Sequence, residues 1–302
     1  MNLVSQVLIE DEALRDGLQN EKREFSVAEK LHIIDGLTTA GVTRIQVGSF
    51  VSPKWVPQMA NTDEVFAALK PIEGVVYSAL ILNMTGLDRA LAAKVRHLSI
   101  SVSASETHSR KNTNKSVSEA IAAITPTLER ALGEGITVRA GIQSALGCGY
   151  EGVVPLARVV EIAKLYSRIG VHEINIADTA GLGNPKQVYE AVEAVRAVVR
   201  SDTKISLHLH DTRGLGLANM FAGLQAGATI YDAAIGGLGG CPFIPAASGN
   251  IATEDAVYAL EEMGVQTGID WKKLRTLTLE LETMLGRKLP SRMAHIGASL
   301  AA

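Results

Sequence analysis

Two histidines one residue apart, His208 and His210 in the run HLHDT, have the spacing in this chain that most directly implies chemistry. Positions i and i+2 of a β-strand share a face. If the run ends a strand, both imidazoles look into one space, where they can share a metal ion or act on one substrate, and Leu207 and Leu209 point the other way. Completing such a site takes oxygen donors. Asp16 in the turn Arg15-Asp16-Gly17, and then Asn250, are the candidates of suitable type. Mixed nitrogen and oxygen ligands without thiolate suit Mg²⁺, Mn²⁺ or Zn²⁺. Each partner also has a plainer reading. Asp16 can cap a turn before Gly17, and Arg15 can be an ordinary ion-paired arginine. Beside a metal, Arg15 is instead a fixed cation for negative charge developing on an oxygen. Asp178, followed by Thr179, reads either as a carboxylate satisfied in the core or as an acid of the site. His32, His97, His108, His172 and His295 stand alone and read as structural. The glycine-rich run Gly236–Pro242 lacks the lysine and serine of a phosphate-binding loop. Its four glycines suit movement over a site, carrying Cys241 in and out.

Elements that would position these residues recur along the chain. Short β-branched runs at Val7–Glu12, Arg44–Gly48, Val75–Leu82, His97–Ser101, Thr137–Ile142, Glu173–Ala177, Lys204–His210 and Ile230–Ile235 read as strands. Amphipathic stretches lie between them: Val27–Ala40, Thr62–Leu69, Gly86–Ala93, Ser116–Leu132, Pro155–Ile169, Pro185–Val199 and Gly216–Ala226. Asn184-Pro185 and Ser26 supply helix-start signals. Strict alternation predicts a parallel sheet with helices outside. Eight units favour closure into a (β/α)8 TIM barrel, of class α/β, over an open sheet. Several strands read as near-continuous apolar runs, as when both faces are covered. After a last barrel helix, Ala252–Met263, Trp271–Leu285 reads as one helix and Ser291–Ser299 as another or as a tail, together a short C-terminal helical appendage over one end. The whole of 1–302 is then one domain, with 1–265 the barrel and 266–302 the C-terminal helices. In a TIM barrel the active site lies at the C-terminal ends of the strands, and that is where Arg15, Asp16, Gln46, Asp178, His208 and His210 fall.

Composition narrows the function. The chain has 302 residues, 47% hydrophobic, enough for one large core. A net charge of −3 speaks against non-specific nucleic-acid binding. No apolar run approaches the roughly 18–20 residues of a membrane span. The first residues show neither a signal nor a transit pattern, which leads us to expect a cytoplasmic protein. Two cysteines, Cys148 and Cys241, are too few for a disulfide framework.

The chain resembles the 3-hydroxy-3-methylglutaryl-CoA lyase family, within the metal-dependent barrel lyases and condensing enzymes. The resemblance runs nearly end to end and is carried by RDGLQNEK (Arg15–Lys22), SFVSPKWVPQM (Ser49–Met59), SALGC (Ser144–Cys148), HLHDT (His208–Thr212), GLGGCP (Gly237–Pro242) and ASGNIATED (Ala247–Asp255). It implies Asp16, His208, His210 and Asn250 as ligands of a divalent cation. It implies Arg15 as the group polarising a thioester carbonyl, Cys241 as a catalytic cysteine and Asp178 as an active-site acid. His208 or Asp16 is the implied base. Gln19, Gln46, Ser144 and Thr179 are expected around the substrate, and Lys22, Arg110, Lys111, Arg287 and Lys288 near the CoA phosphates. The implied reaction is retro-Claisen cleavage of a 3-hydroxy-3-methyl acyl-CoA to acetyl-CoA and a 3-oxo acid, acetoacetate for the usual substrate. A homodimer is expected by the same analogy. The chain departs from the family at Gln46, where a glutamate is usual, and at Gly149, where a proline is. An acyl-CoA condensing enzyme of the citramalate or homocitrate synthase type, and a non-catalytic relative binding CoA or metal, remain as alternatives.

Overall fold

A computed structural model describes residues 3–240 and 249–296. Eight parallel strands close on themselves in sequence order: β1 Leu8–Asp11, β2 Arg44–Ser49, β3 Val76–Leu80, β4 His97–Ser103, β5 Thr137–Gln143, β6 Glu173–Ala177, β7 Lys204–His208 and β8 Ile230–Ala233. β8 pairs with both β1 and β7, so the ends of strands one, seven and eight adjoin. This is the TIM barrel expected, with strand ends shifted by up to two residues. The helices are α1 Val27–Thr39, α2 Thr62–Ala68, α3 Met84–Ala92, α4 Glu106–Thr113, α5 Val117–Gly133, α6 Leu156–Ile169, α7 Pro185–Arg196, α8 Gly216–Gln225, α9 Thr253–Glu262 and α10 Trp271–Leu285. Among the described residues no helix is long and apolar enough to cross a membrane. Ser26 and Asn184 each accept a backbone N–H within a capping box, and Pro185 opens α7. Two of the elements that escaped the sequence reading bear on the site. One is α4, whose residues ETHSRKNT carry no apolar stripe; Ser105 caps it. The other is a π-helical turn, Ala13–Gly17, directly after β1.

The strands alternate more strictly than their composition suggests. Ile9, Ile45, Leu98, Ile174 and Leu207 are buried in the apolar core, and Leu207 lies against Gly223 of α8. The alternate positions carry Glu10, Glu12, Arg44, Gln46, Arg139, Glu173, Asn175, Ser206, His208 and Asp232, also buried. A barrel interior is ordinarily packed with branched apolar side chains. Here it is a column of ion pairs. Arg44 pairs bidentately with Glu173 (2.8 and 3.0 Å) and with Glu10 (2.6 Å). Arg139 joins Glu10, Glu12 (2.7 Å) and Asp232.

The appendage does not roof the barrel. α10 packs beside it against α1 and α9, Leu277 sitting against Gly36 of α1. Its tail then runs to the C-terminal end, where the Ser291 N–H donates to Gly236 O (3.1 Å). Of Ser291–Ser299, expected as a helix or a tail, the described part holds a 3-10 turn, Met293–His295, and 297–299 lie outside the described residues.

Candidate metal and active site

The sharp turn after β1 decides what faces the cavity at the C-terminal end of the barrel. The N–H groups of Arg15, Asp16 and Gly17 all donate to Glu12 O. This tight coil sends both the Arg15 and Asp16 side chains over the mouth. Gly17 is needed there, because a Cβ would lie 2.8 Å from the Leu238 side chain. From the other side of the closure, β7 delivers His208, and His210 follows in an isolated bridge to Asn250. His208 Nε2 and His210 Nε2 are 3.0 Å apart, and Asp16 Oδ2 lies 4.0 Å from His208 Nε2. One donor from each of Asp16, His208 and His210 falls within 4.8 Å of the others.

These residues fit a divalent cation. Two imidazole nitrogens facing each other at 3.0 Å repel unless one carries a proton or both face a cation. His210 Nδ1 and Asn250 Oδ1 are buried without hydrogen-bond partners among the described residues. Charge balance points the same way. The column holds five carboxylates, Glu10, Glu12, Asp16, Glu173 and Asp232, against three guanidiniums, Arg15, Arg44 and Arg139. Uncompensated charge is costly in a low-dielectric interior, and a dication supplies the missing charge. Without it, His208 carries part of the balance. Burial opposes its protonation, but hydrogen bonds to Asp232 and Glu12 outweigh burial and raise it to about 10. Burial and the neighbouring His208 push His210 down to about 4.

The surroundings set the orientation of each group. His208 Nδ1 lies 3.1 Å from Asp232 Oδ2, which leaves Nε2 as the nitrogen turned to the ligand cluster. Arg15 is held on three sides, by Gln46 through Nε, Asp16 through Nη1 and Glu12 through Nη2. Gln46 in turn donates to Glu12 Oε1 (3.1 Å) and Ser99 Oγ (3.3 Å). Asn250 reaches Asp16 with Nδ2 (2.8 Å), which also donates to Leu238 O (3.1 Å). Ligation through Oδ1 therefore requires the amide to turn over.

Sequence reasoning placed most of these groups together. Arg15, Asp16, Gln19, Thr179, His208 and His210 line one cavity of about 310 Å³. Asp178 is buried at its edge, with its carboxylate accepting the Leu182 and Gly183 N–H groups (2.9–3.1 Å). That geometry gives Asp178 the work of holding the loop after β6. Ser144 does similar backbone work: it sits at φ +55 and its N–H donates to Thr179 Oγ1 (2.9 Å). Cys148 is buried and accepts from Ser105. Cys241 lies outside the described residues. The start of the glycine run is packed: Gly236, Gly237 and Leu238 are buried, and Glu254 accepts the Gly236 N–H. Of the cations expected for CoA, Arg110 and Lys111 lie on α4 beside His108 and Asn112, which line the cavity. Lys22 and Lys288 are exposed, and Arg287 is paired with Glu21. The sequence reading missed Glu12, Asp232 and Arg139. For Glu12 a signal was present, the period-two pair Glu10/Glu12 at the end of β1; Arg139 and Asp232 are the lone charges of β5 and β8 and carried none.

The chain matches the HMGL-like family over residues 6–279. It is 40% identical to a hydroxymethylglutaryl-CoA lyase of Bacillus subtilis over 96% of this chain and 97% of that one. It is 39% identical to a 3-hydroxy-3-isohexenylglutaryl-CoA/hydroxymethylglutaryl-CoA lyase of Pseudomonas aeruginosa, over 97% of this chain and 98% of that one. The solved structure of an HMG-CoA lyase from Acinetobacter baumannii, in complex with coenzyme A and 3-methylmalate, superposes with a TM-score of 0.92 at 38% identity. That match covers 98% of this chain and 97% of the other.

Proposed function

The chain belongs to the HMGL-like family, and from that membership we propose that it cleaves 3-hydroxy-3-methylglutaryl-CoA, or a close 3-hydroxy-3-alkyl analogue, to acetyl-CoA and a 3-oxo acid. The observation that carries this reading is the convergence of Asp16, His208 and His210 with Arg15 in one cavity. Asp16, His208, His210 and a turned Asn250 would hold a Mg²⁺ or Mn²⁺ ion, which would supply Lewis acidity toward the substrate's hydroxyl end. The protein's own groups do the rest. With Asp16 engaged as a ligand, Arg15 Nη1 would be free for the thioester oxygen. Arg15 then stabilises that oxygen as the C2–C3 bond breaks and the acetyl-CoA enolate leaves. Glu12 and Gln46 keep the guanidinium aimed, so its charge needs no reorganisation during the reaction. Asp232 holds the His208 ring, and the C3 hydroxyl proton passes to the carboxylate oxygen of Asp16 left free by ligation. Cys241 returns a proton to C2. Val51, Val56, Leu80 and Leu82 form an apolar wall of the same cavity for the branch at C3. Lys22, Arg110 and Lys111 lie toward the CoA phosphates.

A cleavage assay over 3-hydroxy-3-alkyl acyl-CoAs of increasing branch length tests the proposal, run with Mg²⁺, with Mn²⁺ and with EDTA. We expect metal-dependent release of acetyl-CoA together with a 3-oxo acid. Bound metal and bound CoA with no cleavage across the panel would overturn it.

A further inference from the structure

The barrel has a second mouth. At the N-terminal ends of the strands, β1 to β7 each contribute their first residue to the wall of a cavity of about 830 Å³, larger than the catalytic one. Apolar side chains of Phe66, Leu69, Pro71, Val75 and Val95 form much of the wall. Its charge is one-sided. Arg44 and Arg200 are matched by Glu173 and Asp202, the two carboxylates among the lining residues. Lys94, Arg96 and Lys204 are exposed, with no ion-pair partner among the described residues. The wall is thus net cationic on a chain whose net charge is −3. Two polar groups in it are unsatisfied. His97, 7% exposed, has Nε2 without a hydrogen-bond partner, and so does Tyr77 Oη. A buried polar atom left unpaired costs about 1–3 kcal/mol, which a polar ligand atom or water would relieve. Val76, at 39% exposure, leaves apolar surface open beside them.

We propose that this N-terminal cavity binds a small amphipathic anion, a carboxylate carrying a short apolar chain, with the carboxylate toward the cationic rim and the chain along Phe66, Leu69 and Val75. The apolar wall supplies burial and the rim supplies the sign of the charge. The ion-pair column separates this cavity from the catalytic one, so the two can be occupied independently.

Isothermal titration of the full chain with octanoate tests the site. Octanol and inorganic phosphate serve as single-feature controls, and the titration is repeated in saturating coenzyme A. The expected result is saturable binding of one octanoate, at least about tenfold tighter than octanol or phosphate and unchanged by coenzyme A. In the double variant Lys94→Glu/Lys204→Glu, octanoate affinity should fall about tenfold, with acyl-CoA cleavage retained. Octanol binding equally well would reduce the cavity to an apolar pocket, and phosphate binding equally well to a cationic patch; either overturns the proposal. So would displacement of octanoate by coenzyme A, unchanged affinity in the double variant, or no saturable binding. None of these outcomes bears on whether the catalytic end cleaves acyl-CoA.

Discussion

The two ends of the ion-pair column use the same residue types for different purposes. Toward the N-terminal mouth, Arg44 meets Glu173 bidentately and Glu10 at 2.6 Å, and these carboxylates are committed to guanidiniums. Toward the C-terminal mouth, Glu12, Asp16 and Asp232 meet Arg15 and Arg139, and the surplus of acid faces two histidines. The closed set is scaffold. The open set is reactive, because its surplus acid lies beside two imidazoles that can share a cation, at the wall of the catalytic cavity. Neither residue type nor charge count separates the two, since each end carries one surplus carboxylate; what that surplus faces does.

Breaking the open end should have the largest effect on turnover. Asp16→Asn and Arg15→Met should each lower kcat/KM by about 10³-fold or more. Urea unfolding of the metal-free variants should shift by much less than the scaffold variants below. Breaking the closed end should reverse that pattern. Arg44→Met leaves Glu10 and Glu173 buried with too little positive charge, at a cost of about 3–5 kcal/mol in urea unfolding. The kcat of the molecules that stay folded should be nearly unchanged. Equal loss of stability and of kcat in both variants would erase the distinction between the ends.

Acid should probe the closed end specifically. Burial pushes Glu173 up, but Arg44 and Arg139 outweigh it and hold it at about 2, against 4.5 unfolded. The unfolded chain therefore binds the proton first, so this stabilisation is complete above about pH 4.5 and is lost as pH falls toward 2. Burial first, and then Arg44, push His97 down to about 4, with Glu10 and Glu173 opposing and Arg139 reinforcing the shift. Its neutral form is favoured by the fold, so stability also rises with pH between about 4 and 6.5. Stability curves of His97→Gln should lose slope in the upper window and those of Glu173→Gln in the lower, each by on the order of 1–3 kcal/mol. Unchanged slopes would show that the closed end is not closed. Smallest is the effect at the rim. Lys22→Ala and Lys111→Ala should raise KM for the acyl-CoA a few-fold, by about 0.5–1 kcal/mol each and less at high salt, leaving kcat alone.

Much of this was legible beforehand. The alternation of β-branched and amphipathic runs announced eight strand–helix units, and Asn184-Pro185 and Ser26 marked real helix starts. HLHDT announced a histidine pair on one face, and the structure brings the rings together. What stayed hidden has physical causes. Helix α4 lacks an apolar stripe, so periodicity had nothing to register. Glu12, Arg139 and Asp232 are ordinary charged residues in sequence; only closure of the barrel makes them neighbours, 93 or more positions apart where they pair with Arg139. Asp178 stands at a strand end in the right mouth, yet the loop it serves claims its oxygens.

By itself, then, the sequence determined the barrel, the family, and the types of group at its mouth, because periodicity and short motifs are local properties of the chain. The tertiary structure alone decided which carboxylates are spent and which are left over. Ion pairing inside a closed barrel depends on residues from β1, β2, β5, β6 and β8 meeting across its axis. In that low-dielectric space, where the unmatched charge faces determines where a cation is wanted.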